Sequence, residues 1–324
     1  MPARENWAFP ESLRPRPEEV AFDLAAALDA VVQLRAQIPE EAFTAGILGT
    51  ERVGNGVVIR EDGLVLTIGY LVTEAQTIWI ATNRGTVVGG HALAYDQATG
   101  FGLVLALGDL GVRPLARGGS GSCGVGEEVY VLGAGGLAHA LKARVFARRE
   151  FAGYWEYVLD EAILTAPAHP QWGGAALVAR DGRLAGIGSL LVQELDQGRL
   201  TQGNMSVPVD LLEPILDDLV RYGRANRPPR AWLGMYVQES DGKLVVGGLV
   251  TGGPADRAGV KLGDAVVEVA GEPAAGLADL FRRIWALGPA GTEIPLTLAR
   301  GATRLEVRAV SADRNDFLLK PRMH

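Results

Sequence analysis

The sequence predicts a mainly β protein, a sandwich or barrel followed by a second, smaller domain. Three observations lead there. Short apolar runs separated by glycine-bearing turns repeat from residue 48 to about residue 207, with few helical stretches among them. Glycine is abundant, 43 of 324 residues, while aromatic residues make up only 6%, a composition suited to tight turns. A polar segment stiffened by prolines, Arg224-Ala225-Asn226-Arg227-Pro228-Pro229-Arg230, then separates this region from further strand-like runs.

In order, residues 1–17 are proline-rich and charged, and read as an arm or disordered lead. Residues 18–37 carry Val20, Leu24, Ala27, Leu28, Val31 and Leu34 at three- and four-residue steps, which predicts an amphipathic helix stopped at Pro39. Its apolar face has either its own domain or an oligomeric partner to bury against. Residues 56–60 and 64–67 predict a hairpin over Glu61-Asp62-Gly63, because Asp-Gly accepts positive φ. A second hairpin joins residues 78–82 to 86–95, and strands follow at 102–107, 128–133, 141–147 and 157–164. The turn Arg180-Asp181-Gly182-Arg183 joins two more, and Pro208-Val209-Asp210 opens a helix through Tyr222. The second domain shows strands near 235, 245–250, 265–269, 294–299 and 305–309, with one helix over 277–287. The resulting division is arm and helix at 1–45, a main domain at 46–223, a linker at 224–230, a small domain at 231–311 and a polar tail at 312–324.

Composition excludes several function classes. A net charge of −7 argues against nucleic acid or an anionic membrane as partner. The first apolar stretch, residues 20–38, is broken by Asp23, Asp29 and Arg35, so it is no membrane span. The N-terminus shows no apolar leader, which predicts a cytoplasmic protein, or a periplasmic one if the chain is a mature form. The single cysteine, Cys123, excludes an intrachain disulfide and reads as a small buried hydrophobe. His91, His139, His169 and His324 lack metal-ligand spacing, so neither metal nor cofactor is expected. Gly133-Ala134-Gly135-Gly136 lacks a phosphate-loop lysine and reads as a turn.

Several stretches carry a family resemblance: Gly54-Asn55-Gly56-Val57-Val58, Glu127-Glu128-Val129-Tyr130-Val131-Leu132-Gly133, Met205-Ser206-Val207-Pro208, and Gly252-Gly253-Pro254-Ala255-Asp256-Arg257-Ala258-Gly259-Val260 with Leu262-Gly263-Asp264. Together they resemble the HtrA (DegP-like) serine proteases, and the last resembles that family's PDZ signature. The resemblance covers nearly everything after residue 50. It implies a two-barrel chymotrypsin/trypsin-like fold followed by a PDZ domain. The family's nucleophile loop corresponds to Ala168-His169-Pro170-Gln171-Trp172-Gly173-Gly174, with Gly173 in the serine slot. The histidine run corresponds to Thr67-Ile68-Gly69-Tyr70-Leu71-Val72, with Tyr70 in the histidine slot. The aspartate run corresponds to Asp96-Gln97-Ala98-Thr99-Gly100, with Gly100 in the aspartate slot.

Acyl transfer needs a nucleophile, a base beside it and a group that orients the base. Two glycines and a phenol supply none of these at neutral pH. The expectation is a pseudoprotease whose oxyanion-hole N–H groups, near Gln171 and Gly173, are its remaining catalytic feature. Tyr70 and Trp172 either line a pocket or fill the cleft. The competing readings are a hydrolase working through non-standard residues, such as His169 with a serine or Cys123, and a holdase-like chaperone. In the PDZ-like domain, Trp232-Leu233-Gly234-Met235 is the expected carboxylate loop, and Met235 to Val237 the pairing strand. Leu280, Phe281 and Ile284 would form the side-chain pocket; the alternative makes Leu233, Met235 and Ile284 simply core. The expected partner is a protein or peptide, held by a homo-oligomer or by one subunit of a hetero-complex.

Overall fold

The structure is a computed structural model describing residues 7–196 and 199–320. The chain forms two compact units. One takes residues up to Arg149, then Glu161–Asn226 and the end of the chain from Leu319; the other takes Glu150–Asp160 and Arg227–Leu318.

The first unit holds two closed antiparallel barrels of six strands each. A short helix α1 (Leu24–Asp29), capped by the Asp23 carboxylate on the Ala26 N–H, leads into strand β1 (Val31–Gln37). The turn-like helix α2 (Ala45–Leu48) precedes β2 (Glu51–Val58), β3 (Leu64–Ile68), β4 (Thr77–Ala81), β5 (Val87–Tyr95) and β6 (Phe101–Ala106). The first barrel closes in the order β1-β2-β3-β6-β5-β4. The second consists of β7 (Glu128–Leu132), β8 (Ala140–Gly153), β9 (Tyr157–Ala166), β10 (Ala176–Val178), β11 (Leu184–Asp196) and β12 (Arg199–Pro208). It closes in the order β10-β11-β12-β9-β8-β7, and helix α3 (Leu216–Tyr222) follows.

Three expectations need correction here. The helix over 18–37 is helical only at Leu24–Asp29, while Val31–Gln37 is a strand paired with β2 and β4. Val32, Leu34 and Ala36 alternate inward from this strand, and β-branched Val31 and Val32 favour a pleated surface over a helix. The helix from 208 to 222 is split: a 3-10 turn at Val209–Leu211 precedes α3, because Pro214 lacks an amide and crowds the preceding turn. The arm is not a loose lead from residue 7 onward; residues 1–6 lie outside the described residues. Phe9 belongs to the second barrel's core, Trp7 and Leu13 pack against it, and the Phe9 N–H donates to the Ala138 carbonyl at 3.0 Å.

The second unit is a sheet of β13 (Met235–Ser240), β14 (Lys243–Leu249), β15 (Ala265–Val269), β16 (Glu272–Pro273), β17 (Glu293–Arg300) and β18 (Thr303–Val310). Its order is β13-β14-β15-β17-β18, with β16 paired to β15. Helix α4 (Pro254–Arg257) is short; α5 (Leu277–Ala286) buries Leu277, Leu280, Phe281 and Ile284, one stripe at helical spacing. The tip of the β8–β9 hairpin, Glu150–Asp160, belongs to this unit, and Val158 joins its core. The polar tail is partly packed. Phe317 lies 4.8 Å, ring to ring, from Trp232, while the Leu319 N–H donates to Glu74 at 2.8 Å within the first unit.

Candidate functional site

The three family slots meet in the first unit. Tyr70 lies in a 3-10 turn, Gly69–Leu71, held from below by Arg52, whose guanidinium donates to the Tyr70 carbonyl at 2.7 Å and to the Thr73 carbonyl at 3.1 Å. Arg52 is buried, which lowers its pKa to about 10 against the opposing pull of Glu74. The Tyr70 hydroxyl donates to the Ser189 carbonyl at 2.9 Å and accepts from the Trp172 indole. Burial pushes this phenol well above its ordinary value, so it stays protonated at neutral pH. A Cβ built on Gly173 would stand 2.8 Å from that hydroxyl. The Tyr70 hydroxyl, bonded to Trp172, thus occupies the space beside the serine slot. Gly100 has φ +82°, and its carbonyl accepts from the Gly69 N–H at 2.7 Å.

The nucleophile loop is tied down on all sides. His169 is fully buried between Trp7 and Phe9, with ring centroids at 5.7 and 5.1 Å. Its Nδ1 accepts from the Gln171 N–H at 3.0 Å and its Nε2 faces the His139 carbonyl at 3.0 Å, which fixes the neutral Nε2–H tautomer. Burial lowers its pKa to about 4. Both ring nitrogens are engaged, so His169 has none to lend a serine or a cysteine. Cys123 is likewise buried in an apolar cluster, where burial raises its thiol pKa. The Gln171 N–H, expected to serve an oxyanion hole, is spent on His169 instead.

Two asparagines that sequence reasoning passed over organise this loop. Asn55, on β2, donates through Nδ2 to the Gln171 carbonyl at 2.8 Å and the Gly173 carbonyl at 3.0 Å, and accepts from the Ala134 N–H at 2.8 Å. Asn204, on β12, accepts from the His169 N–H at 2.6 Å and returns a bond to the His169 carbonyl at 3.2 Å. Asn55 stands in the quoted Gly54-Asn55-Gly56 run, yet its partners lie 116 and 118 residues away; no local spacing carries that information.

In the second unit the expected carboxylate loop does hold a carboxylate. The Leu233 N–H points at both oxygens of Glu156 (3.2 and 3.0 Å), the Gly234 N–H lies 2.7 Å from Oε1, and the Met235 N–H 3.2 Å from it. Gly234, at φ +71°, turns these three amides toward one point. Burial pushes the Glu156 carboxyl up to about 7, against the pull of the three amides and of Arg314. The Val237 N–H donates to the Tyr154 carbonyl at 3.1 Å. The side chains of Leu233, Met235, Val237, Leu280, Phe281 and Ile284 are all fully buried in this unit's core. Trp232 pairs through its backbone with Ala312. Among the described residues no cluster of His, Cys, Asp and Glu could hold a metal ion.

Comparison with known proteins agrees with this architecture. The family described as "Trypsin-like peptidase domain" matches residues 54–187, and that described as "PDZ domain" matches residues 231–310. The chain has the HtrA/DegP-type build. A "Probable periplasmic serine endoprotease DegP-like" of Pseudomonas fulva is 25% identical over 301 residues, covering 86% of this chain and 61% of the relative. "Protease Do-like 1, chloroplastic" of Arabidopsis thaliana is 26% identical over 287 residues, covering 82% and 64%. The chain therefore spans less than two thirds of these HtrA-type relatives' length. Among solved structures, the HtrA-type protease AlgWS227A with tripeptide superposes with a TM-score of 0.54 at 18% identity, covering 93% of this chain and 99% of that one. The serine endoprotease from Yersinia pestis gives 0.52 at 20% identity, covering 91% and 99%. These likenesses establish the fold. The relatives are named for the periplasm or the chloroplast, whereas the N-terminal reading expects the cytoplasm. Among the described residues no helix is long and apolar enough to cross a membrane.

Proposed function

We propose that this HtrA-type chain is a pseudoprotease that binds a protein or peptide partner non-covalently, as a scaffold or subunit of a larger assembly. The observation that carries the reading is the filled serine slot: Gly173 offers no nucleophile, and the Tyr70 hydroxyl, bonded to Ser189, stands 2.8 Å from where a side chain would begin. A hydrolase needs a base that can exchange its proton near operating pH. Tyr70 is held protonated by burial, and His169 is engaged at both nitrogens. The PDZ domain supports the binding half of the reading, since strand addition relies on main-chain amides and needs few special side chains.

The test is hydrolysis of fluorescein-labelled casein by the full chain at high protein concentration, with and without a broad serine-protease inhibitor, beside an active HtrA-type protease. The reading predicts release at the buffer rate and no inhibitor effect. Inhibitor-sensitive release would favour the non-standard hydrolase instead.

A further inference from the structure

The edge of β13 in the second unit already carries an occupant with the spacing of a peptide. Glu156 presents its carboxylate to the amides of Leu233, Gly234 and Met235, and two residues earlier the Tyr154 carbonyl takes the Val237 N–H. The chain thus runs antiparallel to β13, Glu156 opposite its start and Tyr154 opposite Val237. That is the pattern of a strand added to a sheet edge with its terminal carboxylate captured by backbone amides. Here a side-chain carboxylate stands in for the chain terminus. Glu156 sits at φ +60°, an uncommon conformation for a non-glycine residue, and is 5% exposed. Flanking contacts fix the segment: Arg282, on α5, pairs with Glu150 and with Asp160 on either side of the tip, and Val158 joins the core that contains Leu280, Phe281 and Ile284.

We propose that Tyr154-Trp155-Glu156 is a tethered ligand of the PDZ domain, and that a partner ending in a free carboxylate binds by displacing Glu156 from the Leu233–Met235 amides. The inference rests on the peptide-binding reading above and adds its regulation. A ligand on the same chain competes at an effective concentration in the millimolar range or higher. Apparent affinity for an outside peptide falls in proportion to the fraction of molecules whose loop is open. A purely structural role for Glu156 predicts a loss of stability on its removal and no gain in peptide affinity.

The experiment uses the full chain and its Glu156→Gly variant, since glycine accepts φ +60° and removes the carboxylate together with its two-carbon stem. The probes are fluorescein-labelled decapeptides ending in apolar residues, each with a free carboxylate or a C-terminal amide. The proposal predicts free-carboxylate peptides binding the variant at least about tenfold tighter than the unmodified chain, and amide-capped peptides binding neither. Equal affinity for the two proteins overturns it. Amide exchange at Leu233, Gly234, Met235 and Val237, read without any peptide, separates the two readings. Protection lost in the variant and restored by acetate supports the tethered ligand even if no peptide binds, in which case the peptide-partner reading alone falls. Unchanged protection overturns the tethered ligand. Should Glu156→Gly fail to fold, Glu156→Asn, which tolerates positive φ and is one methylene too short to reach the amides with an equivalent oxygen, takes its place, and the same ordering of affinities and protection is expected.

Discussion

Gly100 and Gly173 lack a catalytic side chain in different ways. At Gly173 the obstacle is a neighbour, the Tyr70 hydroxyl 2.8 Å from a built Cβ; at Gly100 it is the backbone, at φ +82°. Placing Asp at position 100 forces an L-residue into the left-handed region at a cost of about 1–2 kcal/mol. The double substitution Gly100→Asp, Gly173→Ser, which keeps Tyr70, should therefore leave casein uncut and lower the melting temperature, both read on one preparation. His169 gives a pH signature. Its pKa falls from 6.5 to about 4 on burial, so the unfolded state binds more protons between those values. The sign follows: stability is fully present above about pH 6.5 and declines as pH drops toward 4, by an amount of order 3 kcal/mol. Denaturant midpoints at about pH 7 and pH 5 should show the drop, and His169→Gln should flatten it. Glu156 runs the opposite way. Raised to about 7 in the closed tip, it holds its proton more tightly there than when released, so closure weakens as pH rises through that value. The charged and titratable groups facing it are Arg314, Tyr236 and, through Tyr236, Tyr154; burial raises the Tyr236 phenol above its ordinary value. Affinity for a free-carboxylate peptide should rise on the order of tenfold from about pH 6 to about pH 8.5, measured by fluorescence anisotropy.

At the scale of elements, the nucleophile loop is positioned by strands that share no local sequence with it. Asn55 on β2 bonds two of its carbonyls and the Ala134 amide on the far side. Asn55→Ala strips the Gln171 carbonyl and the Ala134 amide of this side chain, while the Gly173 carbonyl keeps the Asn55 backbone N–H at 2.8 Å; it should cost about 1–3 kcal/mol in chemical denaturation, with faster amide exchange at Ala134. Legibility in the sequence also divides at this scale. Hairpins with Asp-Gly turns and the α5 stripe were readable because their signals are local: a turn dipeptide, or four apolar residues on one helical face. Residues 20–34 carried an apolar spacing that a helix and an inward-facing strand share in part, and barrel closure through β2 and β4 decided for the strand from Val31 onward. Glu156 was illegible for a stronger reason. Its partners lie 77 to 79 residues away, and nothing near Tyr154 marks the segment as a ligand.

At the scale of the whole molecule, the fold is the trypsin-like domain followed by a PDZ domain, and on the proposed reading its three slots carry no catalytic side chain. The barrels are closed, and the loop at 168–174 is fixed by Asn55, Asn204 and His169. The slots are assigned one residue at a time from the resemblance alone; that Tyr70 and Trp172 bond to each other was not legible, because the spacing of two aromatics in sequence says nothing of their distance in the fold. On this account the first unit holds no activated nucleophile, and binding falls to the second. Labelling with a fluorophosphonate probe, read by intact-protein mass spectrometry beside an active HtrA-type protease, tests that most directly. The account predicts an unmodified mass for this chain under conditions that label the control fully; a mass increase of one probe, abolished by prior heat denaturation, would contradict it.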